Sequence, residues 1–194
     1  MKEFKESLEE SVMRAMDCES IEILDYLPYI LQDFWEIGSD PLVMTDLIEK
    51  HRGNRGTLLD LGCGKGAVSV KVAKELGTKC LGIDGVKEFI EFANQKAIEF
   101  GVTNLCRFDC GDIRTKIDDT GKFDVIVLGA IGMVFGDYYT TITRLKKHLN
   151  QHGIIILDDG YIDDESDYKH INVLNRGELL KQISQINDGK NSTR

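Results

Sequence analysis

The sequence predicts an α/β fold, an open twisted parallel sheet with helices on both faces. Two observations carry this. From Thr57 onward, short apolar runs alternate with helix-length amphipathic segments, the pattern of a parallel sheet covered on both faces. The first run, Leu58-Leu59-Asp60-Leu61, breaks into Gly62-Cys63-Gly64-Lys65-Gly66 and then turns into a helix. A strand that ends in glycines and leads straight into a helix lets a ligand approach the main chain, and its backbone N–H groups are expected to point at empty space. At 194 residues the chain is long enough for one domain with a sizeable core. Residues 1–194 are therefore read as a single domain, with 1–52 a helical cover or lid and 57–161 a nucleotide-binding core.

Taken in order, residues 2–17 place Phe4, Leu8, Val12 and Met16 at near-helical spacing among Glu and Lys, which predicts an amphipathic helix. Residues 21–37 are rich in apolar and aromatic groups, and Pro28 is expected to kink or divide the segment. Its Tyr26, Tyr29, Phe34 and Trp35 either pack on the domain or line a pocket. Asp40-Pro41 is an N-cap followed by proline at the first helical position, opening a helix to about His51. Strands are expected at about 57–61, 79–83, 104–109, 123–128 and 154–157, with helices at about 66–76, 86–100, 137–149 and 176–187. Gly77 and Gly101 stop the first two of these helices.

Composition narrows the partners. A net charge of −9 disfavours nucleic acid, whose phosphates need a basic surface. No stretch approaches the roughly 18–20 apolar residues of a membrane span, and the N-terminus lacks an apolar signal core. Five cysteines with no C-x-x-C pair read as free thiols in a reducing cytoplasm. A cytoplasmic protein acting on a small molecule is the expectation.

Ligands in parallel sheets sit at the carboxyl ends of the strands. The strand ends here carry Asp60, Asp84, Asp112, Gly129 and Asp158-Asp159. Gly62, Gly64 and Ala67 fit the relaxed G-x-G-x-x-G/A pattern, and Asp84 lies at the right distance for a ribose hydroxyl. That pattern alone suits NAD as well as S-adenosylmethionine. Asp60 decides between them. Its charge would repel a pyrophosphate and attract the ammonium group of S-adenosylmethionine. A Walker-type loop is excluded because no Gly-Lys-Ser/Thr follows.

The run LLDLGCGKGAVSVKVAKELGTKCLGID resembles the first two motifs of the class I S-adenosylmethionine-dependent methyltransferases. Cys110–Ile113 is similar to their third-strand motif and KFDVIVLGAIG to their fourth. The resemblance runs from about Thr57 to Tyr161. More loosely, DYLPYILQDFWEIGSDP is similar to the start of small methyltransferase-like proteins from anaerobic microbes. The resemblance implies a Rossmann-like fold in which Gly62, Cys63, Gly64 and Gly66 contact the amino acid part of the cofactor. Asp84, with Gly85 beside it, would bind the ribose hydroxyls. Asp112 and Ile113 would bind and flank the adenine, and Leu128 or Gly129 would pass beneath the sulfonium.

An activated methyl donor needs mainly alignment with its acceptor, so no catalytic residue need stand out. Substrate-side candidates are Tyr29 and Trp35 in the aromatic segment, Asp137, Tyr138 and Tyr139 after strand four, and Asp159 and Tyr161 after strand five. Asp137 is also a good N-cap. The Asn/Asp-Pro-Pro-Tyr/Phe motif of amino-methylating enzymes is absent after strand four. Asp158-Asp159 is similar to a catechol-type metal pair, but the third carboxylate is missing. His148 and His152 have no evident third ligand, so no metal is expected. The acidic run at Asp158–Glu165 is either a solvated loop or a feature that favours an amine substrate.

The class I fold ends in an antiparallel hairpin, for which residues 188–194 hold no apolar strand. The expectation is a five-stranded sheet, order 3-2-1-4-5, with strand five an open edge. That edge would be paired in a homodimer or covered by the N-terminal helices. Beside the methyltransferase reading stand a non-catalytic S-adenosylmethionine-binding protein and, third, an NAD-binding oxidoreductase.

Overall fold

Strands β1 (Thr57–Leu61), β2 (Lys79–Asp84), β3 (Cys106–Cys110), β4 (Phe123–Gly129) and β5 (Leu149–Asp158) form one parallel sheet. Their order is β3-β2-β1-β4-β5, the order expected from the sequence. This is a computed structural model, and it describes residues 6–54, 56–170 and 173–188. The order puts β1 at the centre, in register with β2 through Leu59↔Leu81 and with β4 through Leu59↔Ile126. The first crossover runs to β2 and the later one to β4 on the opposite side. A crevice therefore opens at the carboxyl end of β1.

Side chains along each strand alternate between two cores. Leu58, Cys80, Phe108, Val125 and Val127 face α3 (Pro41–Arg52), α4 (Ala67–Leu76) and α5 (Lys87–Glu99). Leu59, Leu61, Ile83, Ile126 and Leu128 face α6 (Ile113–Lys116) and α7 (Tyr138–Leu145). Leu58, Leu59 and Leu61 are fully buried, each worth about 1.5–3 kcal/mol relative to exposure. Asp60 shares the parity of Leu58, so it points toward α4. Leu128 falls on the other face from Val127 and Gly129.

The N-terminal region carries α1 (Leu8–Ala15), a 3₁₀ turn at Ile21–Tyr26, and α2 (Leu27–Ile30). A capping box starts α1: the Glu10 N–H donates to Ser7 Oγ (3.1 Å) and the Ser7 N–H to Glu10 Oε2 (2.7 Å). Phe4, expected on this helix, lies outside the described residues. Pro28 does divide its segment, since it sits in the first turn of α2 where its missing N–H is no loss. Asp40 caps α3 by accepting from the Leu42 N–H (2.8 Å).

Beyond Thr57, two boundaries differ from expectation by more than two residues. The helix expected to reach residue 149 ends at Leu145 with a 3₁₀ turn over Lys146–His148, and β5 starts at Leu149 rather than Ile154. The cause is an irregularity: Phe123 pairs Leu149 while Val125 pairs Ile154, and His152 in the extra length adopts φ 63°. β5 is an edge strand of the sheet, and the described residues contain these five strands only. Helix α8 (Arg176–Asp188) packs against α7. No described helix is long and apolar enough to cross a membrane.

Candidate functional site

A cleft opens at the carboxyl ends of β1, β2 and β4, with about 950 Å³ of empty space when the open solvent at its mouth is included. Asp60, Gly62, Cys63, Gly64, Asp84, Gly85, Asp112, Ile113 and Gly129 all line it. Gly66 does not; it opens α4 in the left-handed conformation. Leu128 is the other departure, because strand alternation turns it into the core on the far side of the sheet.

The glycines of the loop are required by both conformation and space. Gly62 has φ +71°, and a Cβ there would sit 2.6 Å from Ile131 Cγ2. Gly62→Ala is expected to lower stability by about 1–3 kcal/mol, measured as a drop in the thermal unfolding midpoint. An unchanged midpoint would mean that this backbone is not held as described.

The loop amides correct the first expectation. Gly62 and Cys63 both donate to the Ile83 carbonyl (2.8 and 3.1 Å), Gly66 donates to the Cys63 carbonyl (2.9 Å), and Gly64 donates to Asp84 Oδ2 (2.8 Å). These four N–H groups are turned toward the end of β2 and toward the loop itself. A phosphate would find them already engaged.

Three carboxylates have three environments. Asp60 is 3% exposed, and Ser69 Oγ donates to its Oδ2 at 2.7 Å. Burial raises its pKa to about 6, Ser69 opposes the rise and Asp84 adds to it. Asp84 also accepts from the Val86 N–H (2.9 Å). Burial raises its pKa as well, against the pull of these amides. Asp112 is gripped by the Arg114 guanidinium, with Nε to Oδ1 at 3.0 Å and Nη2 to Oδ2 at 2.8 Å. Burial pushes the Cys63 thiol well up, so it stays protonated and unreactive.

The N-terminal region closes the cleft from two ends. Leu8 and Val12 of α1 line it beside Gly85. Arg114, 2% exposed, joins Asp112 to this region by donating to Glu6 Oε2 (3.1 Å) and the Ser7 carbonyl (3.0 Å). At the glycine-loop end, Lys65 Nζ donates to the carbonyls of Leu31 and Phe34, and Trp35 Nε1 donates to the Lys65 carbonyl (3.0 Å). Burial lowers the Lys65 pKa, while Phe92 faces its ammonium at 4.6 Å. Sequence reasoning missed Lys65, Ser69 and Arg114. The glycine motif surrounds Lys65 without assigning it a partner, and nothing local marks the other two.

The substrate-side candidates separate. Trp35 lines the cleft while its ring packs on Phe100 at 4.9 Å, so it serves both expected roles. Tyr138 and Asp159 meet in a smaller recess bounded by Leu128, Ile131 and Leu157, where Tyr138 Oη donates to Asp159 Oδ2 at 2.6 Å. Desolvation, then the Asp159 carboxylate, raises the phenol pKa strongly. Asp137 caps α7 through the Thr140 N–H (2.7 Å). Tyr29 and Tyr161 are 72% and 54% exposed and line neither cavity. Among the described residues, no group of three His, Cys, Asp or Glu is placed to hold a metal.

A family model, that of a methyltransferase domain, matches residues 53–192. The chain belongs to this methyltransferase domain family. The domain is similar to the "Uncharacterized methyltransferase YcgJ" of Bacillus subtilis, 29% identical over 120 residues covering 61% of this chain and 47% of that protein. The chain spans about half the length of the curated relatives it matches first. Its fold is similar to an S-adenosylmethionine-dependent methyltransferase from Geobacter sulfurreducens crystallised with S-adenosyl-L-homocysteine. That likeness has TM-score 0.70 and 23% identity over 84% of this chain and 69% of that one. A second such methyltransferase, from Thiobacillus denitrificans and also in complex with S-adenosyl-L-homocysteine, gives TM-score 0.64 and 25% identity over 76% and 64%.

Proposed function

We propose that this methyltransferase domain binds S-adenosylmethionine in the main cleft and directs its methyl group onto a small-molecule acceptor. The observation that carries the reading is Asp60: a buried carboxylate lining the cleft beneath a loop in which the amides of Gly62, Cys63, Gly64 and Gly66 are already engaged. Such a floor favours an ammonium group and opposes a pyrophosphate, which argues against the dinucleotide alternative. The relatives crystallised with S-adenosyl-L-homocysteine support the same cofactor.

S-adenosylmethionine supplies an activated methyl carbon, and the demethylated thioether is the product. Within this reading, Asp60 holds the ammonium end, and Asp84 keeps lone pairs for the ribose while anchoring Gly64. Asp112 and Ile113 bound the adenine end beneath α1, and Gly129 underlies the sulfonium end. Leu8, Val12 and Val134 give the cleft apolar walls. Alignment of donor and acceptor in such a site can contribute about 7–11 kcal/mol to the rate.

The net charge of −9 supports a small acceptor over nucleic acid. The recess holding Tyr138 and Asp159 shares Ile131 with the main cleft, which supports an acceptor approaching from the β4–β5 side. Its carboxylates, with the acidic run that follows, favour an amine.

Calorimetric titration tests this. S-adenosylmethionine and S-adenosylhomocysteine are expected to bind, and NAD to give no heat. NAD binding with no response to the other two overturns the proposal. A screen of amine acceptors with methyl-labelled donor then tests transfer; binding without transfer to any acceptor would make the domain a sensor of the cofactor.

A further inference from the structure

Ser39 stands in the turn that leads into α3, and its residue is 8% exposed. Its Oγ is buried with no hydrogen-bond partner, yet the residue lines the cleft. A buried polar group left without a partner costs about 1–3 kcal/mol, so an orphan facing a binding cleft points to a partner that arrives with the ligand.

Its surroundings locate that partner. A Cβ on Gly129 would collide with the Ser39 hydroxyl, so the hydroxyl lies against the end of β4. A Cβ on Gly64 would sit 3.0 Å from Ile37 Cδ1, and one on Gly38 would sit 3.5 Å from the Ala130 Cβ. The Ile37–Ser39 turn therefore closes the glycine-loop end of the cleft. The opposite end, at Gly85, is closed by Leu8 and Val12.

Resting on the cofactor assignment proposed above, we infer that the Ser39 hydroxyl donates a hydrogen bond to the carboxylate of the cofactor's amino acid tail. The tail brings one ammonium and one carboxylate to this end. Asp60 accepts from the ammonium and can offer the carboxylate nothing but repulsion. The amides of Gly62, Cys63, Gly64 and Gly66 already donate elsewhere. The Ala130 N–H donates to the Asp158 carbonyl at 2.7 Å, and the Lys65 ammonium donates to Leu31 and Phe34. Ser39 is a donor at this end that the protein itself does not use.

Ser39→Ala separates this role from a structural one through three ligands. S-adenosylhomocysteine has both charged groups, its decarboxylated analogue keeps only the ammonium, and 5′-methylthioadenosine lacks the tail. Calorimetry is expected to show a roughly ten- to hundredfold loss of affinity for S-adenosylhomocysteine, as for loss of a hydrogen bond to a charged group. The other two ligands should bind the variant as they bind the wild type. The thermal midpoint of the unliganded variant should not fall, because no protein bond is removed. Equal losses for all three ligands, a loss that persists with the decarboxylated analogue, or no loss at all would each overturn the inference. If the wild-type protein binds none of the three, it is the cofactor assignment that fails.

Discussion

S-adenosylhomocysteine is expected to bind about tenfold more tightly at pH 7.5 than at pH 5, with the change centred near pH 6. The cause is Asp60, whose burial raises its pKa to about 6. Below that pH the carboxyl is neutral in the empty cleft, and a proton must leave before it can face an ammonium. Above it, the group is already ionised. Asp60→Asn keeps the shape and removes the charge. Its affinity should match the wild type's low-pH value and stay flat across the range.

Stability should move the other way. The unfolded chain ionises Asp60 near 3.8 and the native protein near 6. Between these values the native state holds a proton that the unfolded state has lost, so stability falls as pH rises through the window and then levels off. The difference corresponds to about 3 kcal/mol. Asp84, whose pKa is also raised by burial, acts in the same direction. Calorimetric titration and thermal unfolding at pH 5, 6 and 7.5 read both effects. Affinity that is flat with pH in the wild type would remove Asp60 from the ammonium contact.

Asp84→Ala should be the most damaging single change to the site. Its two oxygens hold the amides of Gly64 and Val86, so the variant loses about 2–4 kcal/mol through unpaired buried donors. The glycine loop then loses its tether to β2, and S-adenosylhomocysteine affinity is expected to drop at least a hundredfold. Asp84→Asn can still accept one of the two amides and should fall between. A variant with a wild-type unfolding midpoint and weak binding would assign Asp84 to the ligand alone; one with wild-type affinity would remove it from the site.

The sheet was legible because its signals are local. Apolar runs of strand length, glycines at their ends and an N-capping Asp40 each constrain only their neighbours. The direction of the loop amides was not legible, since it depends on a return contact to the Ile83 carbonyl some twenty residues on. The orientation of Leu128 could have been read from strand alternation, which puts Val127 and Gly129 together on the face that Leu128 leaves. The starting point of β5 was hidden by a polar stretch, Asn150–His152, that gives no strand signal. Arg114 was invisible for a different reason: its meaning lies in Glu6, 108 positions away. The helix α1 was legible from its amphipathic spacing, but its place beside Gly85 was not.

The clasp between Lys65 and the Leu31–Trp35 segment bears on the order in which this chain can be completed. Residues 31–35 are synthesised before the glycine loop, and Glu6 well before Arg114. The partners of the earliest residues therefore do not exist when those residues emerge. Trp35, Leu31 and Glu6 must wait for the glycine loop and for α6, which will receive them. What is made first is fixed last, and the ligand cleft takes its final walls only when the beginning of the chain folds back over the middle.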